Sequence, residues 1–315
     1  MDFGNIKKLI EVNTDADVLV NEPLKKHTSL GIGGPSSLFV TVKSAEDALF
    51  VFEAAKDNDV SFMVIGGGTN ILASDDGFEG IILKPLIKGI EISADKKTIK
   101  SGAYEKAAQL VTFAIENSLE GLEFAAGLPG TVGGAVAGNA GCFGSSFGQK
   151  LISATIIDSE GVLKTVDNSW FDFKYRESAV KFKKTILIDF TFEVNQGSLS
   201  ALKEVAKKHL ELRKTKHPSK NTKTAGSYFK NLPPLNKGER RRAAGEFLEM
   251  AGAKDISVND AMIFEKHANI FVNKNNATAK DVLTLERILK ELVFKKFGLV
   301  LEPEVRFLGR RPDGL

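Results

Sequence analysis

Two glycine-rich segments carry the clearest chemistry in this sequence. One is Gly66-Gly67-Gly68-Thr69-Asn70. The other is Gly127-Leu128-Pro129-Gly130-Thr131-Val132-Gly133-Gly134-Ala135, which continues through Asn139 and Gly141. Glycine lets the backbone approach a ligand closely and adopt positive φ. Successive N–H groups in such a turn form an anion-binding concavity. A helix starting near Thr131 would add its N-terminal dipole to the same site. Pyrophosphate is the guest this chemistry suits. Tight turns explain the first segment equally well, but they fit the second less easily, because it places four glycines and a proline within eight residues. Neither is a Rossmann fingerprint: Gly31-Ile32-Gly33 and Gly66-Gly67-Gly68 both lack the third glycine at the required offset, and no Walker A pattern occurs. A dinucleotide bound here is bound by another fold.

The remaining reactive side chains narrow the classes further. His27, His209, His217 and His267 are scattered without metal-ligand spacing, so no metal is expected. Cys142 is the only cysteine, which excludes an intramolecular disulfide and fits a reducing cytoplasm. The net charge of +3, from 43 basic and 40 acidic residues, is too balanced for a nucleic-acid binder, although it leaves room for a local basic pocket. The first residues lack the apolar region of a secretory signal, and no apolar run is long enough to span a membrane. With 22 Phe against 3 Tyr and 1 Trp, the aromatic residues read as core filler.

The elements that must position these groups alternate along the chain. At 315 residues, two or three subdomains are expected. Residues 44–58 read as a helix capped by Ser44, with Ala45, Ala48, Leu49, Phe52 and Ala55 at helical spacing. Residues 60–65 form a short apolar strand running into the first glycine segment. Strands are expected over 80–83, 98–101, 151–158, 162–166 and 185–194, and helices over 104–117, 199–213, 238–251 and 279–297. Residues 214–223 are Lys-rich (Lys214, Lys216, Lys220, Lys223) and suit a solvated face or an attraction for a diphosphate equally. Residues 299–308 close the chain as a strand whose alternation puts Glu302, Glu304 and Arg306 on one face. The division is an N-terminal βαβ lobe over 1–75, a second α+β lobe over 76–213, a further domain over 214–298 and a returning strand over 299–315.

These motifs resemble a known family. The strand–GGGTN segment followed by GLPGTVGGAVAGNAG is similar to the FAD-binding domain of the vanillyl-alcohol oxidase/para-cresol methylhydroxylase (PCMH) superfamily. Five further blocks place the chain closest to the UDP-N-acetylenolpyruvoylglucosamine reductase (MurB) family within it. They are HTSLGIGGP at 27–35, YRES at 175–178, AGSYFKN at 225–231, EKHAN at 265–269 with Val272-Asn273, and LEPEVR at 301–306. The resemblance is to the shorter branch, which lacks an extra tyrosine-bearing loop. Two departures are local. Gly138, Cys142 and Phe143 stand where the family usually has Met, Ala and Tyr, and Leu232 separates Asn231 from Pro233.

The resemblance implies an α+β fold: a two-lobed FAD-binding domain of the vanillyl-alcohol oxidase/PCMH type plus a C-terminal α+β substrate-binding lobe. It implies a monomeric cytoplasmic oxidoreductase of peptidoglycan precursor synthesis that uses FAD and NADPH, with a small nucleotide sugar as partner and neither nucleic acid nor membrane. NADPH reduces FAD; flavin N5 then passes hydride to the vinyl carbon of UDP-N-acetylglucosamine-enolpyruvate, and protonation of the neighbouring carbon gives UDP-N-acetylmuramate. The glycine-segment residues Gly66, Gly67, Gly68, Thr69, Asn70, Gly127, Pro129, Gly130, Thr131, Gly133, Gly134, Ala135, Asn139 and Gly141 would bind the cofactor. Arg176 would stabilise the enolate, Ser227 would donate the proton and Glu304 would polarise the substrate carboxylate. Tyr175, Lys230 and Asn231 would bind substrate. By type alone, Arg176 reads as a surface-paired arginine, Ser227 as a turn residue, Glu304 as half of a Glu–Arg pair and His267 as a hydrogen-bonded structural histidine. Two rival readings are an oxidase of the same superfamily, to be separated by fast reaction of the reduced enzyme with oxygen, and a non-catalytic nucleotide-sugar or flavin-binding protein.

Overall fold

The computed structural model describes residues 2–219, 221–236, 238–312 and 314. The chain divides into two compact units. The first comprises Met1–Glu22, Ser36–Gly67 and Glu79–Arg213; the second comprises Pro23–Pro35, Gly68–Phe78 and Lys214–Leu315.

The first unit holds two sheets. One has the order Asp17–Pro23, Pro35–Val42, Phe78–Pro85, Phe62–Val64, and its last pair is parallel, with Met63 opposite Ile82. The crossover to Phe62–Val64 is the helix Ala45–Asp57. It starts where expected because Ser44 Oγ accepts the Asp47 N–H at 3.0 Å. Its buried Ala48, Val51, Phe52 and Ala55 pack with Leu38, Val40, Ile81 and Leu83 of the sheet, and Ile6 and Ile10 of the helix Phe3–Asn13 join them. The second sheet is antiparallel throughout, in the order Leu163–Asp167, Leu151–Ile157, Ile186–Glu193, Thr98–Gly102, Ile90–Ile92. The helix Ala107–Glu116 covers it, and phenylalanines fill the space between. Phe147, for example, meets Phe124 and Phe192 edge-on at 5.4 and 5.6 Å between ring centroids.

The second unit is built on an antiparallel sheet in the order Lys223–Ser227, His267–Asn273, Ala261–Phe264, Ser257–Val258. The helices Ala244–Met250 and Ala279–Phe297 contribute Ala244, Leu248, Val282, Leu285 and Leu289 to its core. The longer helix has a capping box, Thr278 with Asp281. The Asp75 carboxylate also accepts the N–H groups of Ala279 and Lys280 at 2.7 and 3.1 Å. A short parallel pair, Ile71–Ala73 with Arg306–Leu308, completes the unit.

Three expected elements differ. The helix expected over 238–251 starts only at Ala244. Leu232 and Arg242 pair as a bridge ahead of it, so the inserted Leu232 is buried in the core rather than looped out. The helix expected over 199–213 runs on to Lys216, which puts the exposed Lys214 and Lys216 in its last turn. Lys220 lies outside the described residues. The strand expected over 299–308 survives only as Arg306–Leu308. Leu301 and Val305 are buried and Glu302, Glu304 and Arg306 are not, as alternation implies, but regular pairing is lost upstream because Pro303 has no N–H to donate and both Glu304 N and Val305 N converge on one carbonyl, that of Tyr228, at 2.7 and 3.4 Å.

Candidate active site

In the first unit the two glycine segments meet. A Cβ on Gly66 would lie 2.6 Å from Thr131 Oγ1, and one on Gly67 would lie 3.1 Å from the Gly130 Cα. Gly67 thus faces backbone and Gly66 the Thr131 hydroxyl, a close approach that only glycine permits and that suits a cradle for a flat or phosphorylated ligand. Among the described residues, neither the Gly66 nor the Gly67 N–H donates a hydrogen bond within the protein, so both are open to an anion.

The helix expected near Thr131 is present as Val132–Ala137, and Thr131 Oγ1 accepts the Gly134 N–H at 3.2 Å. Its first N–H groups find partners inside the fold. Val132 N donates to Glu105 O and Gly133 N to Ala103 O, both at 2.8 Å, so its first three N–H groups are all engaged inside the fold. Thr131 and Gly134 thus stand beside Gly66, whose N–H and that of Gly67 are the unengaged donors of this part of the first unit. Gly127 and Gly130 adopt φ of +72° and +95° and shape the approach with Pro129.

Asn139 and Gly141 belong to the packing behind that wall. Asn139 Nδ2 donates to Lys174 O at 2.8 Å, and its Oδ1 accepts the Gly148 N–H at 3.1 Å. A Cβ on Gly141 would lie 2.6 Å from Ser145 O across a two-residue hairpin. The side chain of Asn139 therefore secures the turn in which Lys174 and Glu177 exchange backbone hydrogen bonds, with Tyr175 and Arg176 at its tip. Ser178, buried, ties the far side of that turn to Ala137 O at 2.8 Å. Arg176 is held at φ +57°, a conformation that costs about 1 kcal/mol or more in a non-glycine residue. Lys181 Nζ donates to its carbonyl, and its guanidinium lies 5.6 Å from the Tyr175 ring centroid. A strained, braced and half-buried arginine is unlike a solvated surface arginine.

Cys142 stands at the start of the neighbouring hairpin. Its thiol donates to Phe124 O at 2.8 Å and accepts from Arg213 Nη2 at 3.1 Å. Burial raises the thiol pKa above its ordinary 9.0, with the charges of Arg213 and Arg176 pulling the other way. Alkylation of the folded protein by iodoacetamide should therefore be slow at pH 7.5 and accelerate only above pH 9. Rapid labelling at neutral pH would contradict this environment.

In the second unit, Ser227 ends the strand Lys223–Ser227 immediately after a register shift. Thr224 pairs with Val272 and Ser227 with Ile270, so this strand carries one extra residue. Gly226 absorbs the shift at φ +77°, with open space around its would-be Cβ. Conformation alone requires glycine here, and the bulge re-aims the next residue. The chain then pairs antiparallel with residues 302–305: Phe229 bridges Pro303, Lys230 N donates to Glu302 O at 2.8 Å, and Glu304 N donates to Tyr228 O at 2.7 Å. Ser227 and Glu304, both half-buried, thus sit on adjacent backbones, as do Lys230 and Glu302, whose side chains form an ion pair. Asn70, the last residue of the first glycine segment, donates to Glu304 O at 3.2 Å and accepts the Arg306 N–H at 3.0 Å. Asn231, in contrast, turns inward: its Oδ1 accepts the Ala244 N–H at 3.3 Å, and its carbonyl accepts from Arg241.

His267 fits its structural reading. Its Nδ1 accepts the Asn269 N–H at 3.2 Å, and burial lowers its pKa, which keeps it neutral. Sequence reasoning assigned no role to Tyr228, Asn269 or Asn273. Asn269 holds the Phe229 backbone twice, donating to its O and accepting from its N, both at 2.8 Å. Asn273 joins Leu30 O at 3.0 Å to Ala277 N at 2.9 Å. For the two asparagines the signal was there to read: both lie in the quoted blocks, in the apolar strand His267–Asn273, where an amide must find partners.

Comparison with known proteins accords with this geometry. Residues 36–167 match the FAD binding domain model, and residues 217–308 match the model described as UDP-N-acetylenolpyruvoylglucosamine reductase, C-terminal domain. The chain is 33% identical over 307 residues to the UDP-N-acetylenolpyruvoylglucosamine reductase of Clostridioides difficile, covering 96% of each chain. The chain belongs to the UDP-N-acetylenolpyruvoylglucosamine reductase family. The reductase of that name from Latilactobacillus sakei is 34% identical over 311 residues, covering 99% of this chain and 100% of the relative. A crystal structure of the reductase from Thermus caldophilus superposes with a TM-score of 0.77 at 27% identity, over 93% of this chain and 98% of that one. The fold is accordingly an FAD-binding domain followed by the reductase C-terminal domain, in an α+β chain. Among the described residues no group of side chains could hold a metal ion, and no helix is long and apolar enough to cross a membrane.

Proposed function

We propose that this chain is a cytoplasmic, monomeric, NADPH-dependent flavoenzyme that reduces UDP-N-acetylglucosamine-enolpyruvate to UDP-N-acetylmuramate. The observation that carries this reading is the pairing of the Ser227–Lys230 backbone with the Glu302–Glu304 backbone. It brings the backbones that carry Ser227, Lys230 and Glu304 side by side in the reductase C-terminal domain.

The residues present fit FAD: Gly66 and Gly67 offer N–H donors that no group of the protein occupies among the described residues, beside Gly130 and the Thr131 hydroxyl, which suits its pyrophosphate. Bound FAD supplies the hydride, which it receives from NADPH. The protein's own tasks are to hold charge and move a proton. Hydride addition to the terminal vinyl carbon leaves an enolate whose negative charge spreads onto the substrate carboxylate. Arg176 is the fixed cation for that charge, held ready by its braced turn. The Ser227 hydroxyl gives its proton to the ether-bearing carbon and regains one from solvent or a neighbour. Glu304 shares a proton with the substrate carboxylate as the enolate forms. Lys230, Asn231, and Tyr175 with its exposed ring, engage the nucleotide sugar, and Asn231 Oδ1 also accepts the Ala244 N–H at the start of the helix Ala244–Met250.

Gly66→Val places a branched side chain against Thr131 and should overpack the cradle by about 1–3 kcal/mol. FAD should then bind on the order of tenfold or more weakly, with the far-ultraviolet circular dichroism unchanged. Undiminished FAD binding would remove this loop from the cofactor site. The activity itself is tested by mass analysis after incubation with NADPH and the enolpyruvyl sugar. Formation of UDP-N-acetylmuramate supports the reading, whereas NADPH consumption with oxygen uptake and no reduced sugar favours an oxidase.

A further inference from the structure

Tyr228 lies between Ser227 and Phe229 and is fastened at every polar atom. Its N–H donates to Asn269 O at 2.7 Å, and its carbonyl accepts from Glu304 N at 2.7 Å and Val305 N at 3.4 Å. Its hydroxyl donates to Glu286 Oε2 at 2.7 Å. The ring is 2% exposed and stacks on Phe271 at 3.9 Å between centroids and 8° between planes. Glu286 sits on the helix Ala279–Phe297, 5% exposed, with Lys290 Nζ 3.6 Å from its other oxygen. Burial, and then the Glu286 carboxylate, push the tyrosine pKa far above its usual value, so the hydroxyl remains a donor.

Packing alone does not call for this pair. A buried carboxylate is costly unless it is paired or hydrogen-bonded, and apolar residues of like shape often replace such pairs at little cost in stability. What the pair adds is direction. The ring is pinned at its tip to a rigid helix, and its backbone carbonyl in turn receives the Glu304 segment. On the other side of Ser227 the chain is set by the Gly226 bulge, where no side chain restrains it. The position of Ser227 relative to Glu304 therefore depends on Tyr228.

We propose that the bond between the Tyr228 hydroxyl and Glu286 is a positioning device for proton transfer, fixing the backbone from which Ser227 and Glu304 are both set. The inference rests on the reading of Ser227 as proton donor. A misplacement of about an ångström in such a group can slow a step by up to ~10²-fold.

In the FAD-loaded full chain, Tyr228→Phe should slow flavin reoxidation by the enolpyruvyl sugar by about 10- to 100-fold while leaving flavin reduction by NADPH within about twofold. The solvent deuterium isotope effect on the slowed step should rise. Glu286→Gln keeps an acceptor for the hydroxyl and should retain most of the rate, whereas Glu286→Leu should fall with Tyr228→Phe. Normal reoxidation in Tyr228→Phe beside a crippled Ser227→Ala overturns the inference. Equal slowing of both half-reactions does so too, as the mark of a general loss of structure. If Ser227→Ala itself reoxidises normally, the assignment of the proton to Ser227 fails and the positioning role falls with it.

Discussion

Ser227→Ala should bind FAD as the parent does, be reduced by NADPH at the parent's rate, and then fail to pass the hydride on productively. Loss of a positioned proton donor removes about 10²–10⁴-fold from the step it serves. The alanine fits the strand, since Ser227 follows the bulge and keeps its pairing to Ile270 through the backbone. Stability should change little, and thermal unfolding monitored in parallel should show it. The loss should lie almost wholly in reoxidation of the flavin by the enolpyruvyl sugar. Serine is a weak acid, so the basicity of the enolate is what draws the proton across. Reoxidation in Ser227→Ala at the parent's rate would assign the proton to another group.

Arg176→Ala carries the second large effect. Removing one preorganised charge contact to a developing anion slows the step by about 10²–10³-fold, or about 3–4 kcal/mol. The backbone at 176 is already at φ +57°, and Ser178 and Asn139 brace the turn through their own hydrogen bonds, so the loop should persist without the guanidinium. Arg176→Lys retains a charge but not the planar fork and should recover only part of the rate. The measurement is single-turnover flavin reoxidation. A loss confined to substrate affinity would make Arg176 a binding residue rather than the enolate's counter-charge.

Local chemistry was legible in the sequence, and long-range pairing was not. The helix Ala45–Asp57 lay open in its apolar spacing and its Ser44 cap, and the glycine segments announced a close backbone approach. That Gly66 and Gly67 approach Gly130 and Thr131 is a contact across some sixty residues that composition alone does not reveal. For the same reason the helix Val132–Ala137 looked like an anion site. Its donors are taken by the carbonyls of Ala103 and Glu105, and no local pattern announces that pairing. The strand expected over 299–308 was cut short because Pro303 and the shared Tyr228 carbonyl interrupt its pairing ahead of Arg306. Tyr228 passed unnoticed because its partner, Glu286, lies on a helix 58 residues away. Asn139 came to notice only through the resemblance, and its hold on the carbonyl of Lys174, 35 residues away, could not be read from the sequence.

The central claim is most directly tested by following the flavin spectrum of the purified protein without oxygen, first with NADPH and then with UDP-N-acetylglucosamine-enolpyruvate. Bleaching by NADPH and full return of the oxidised spectrum on adding the enolpyruvyl sugar is the predicted result. A flavin that bleaches but recovers only when oxygen is admitted would contradict the reductase reading, and a protein that takes up no FAD would contradict the cofactor site as well.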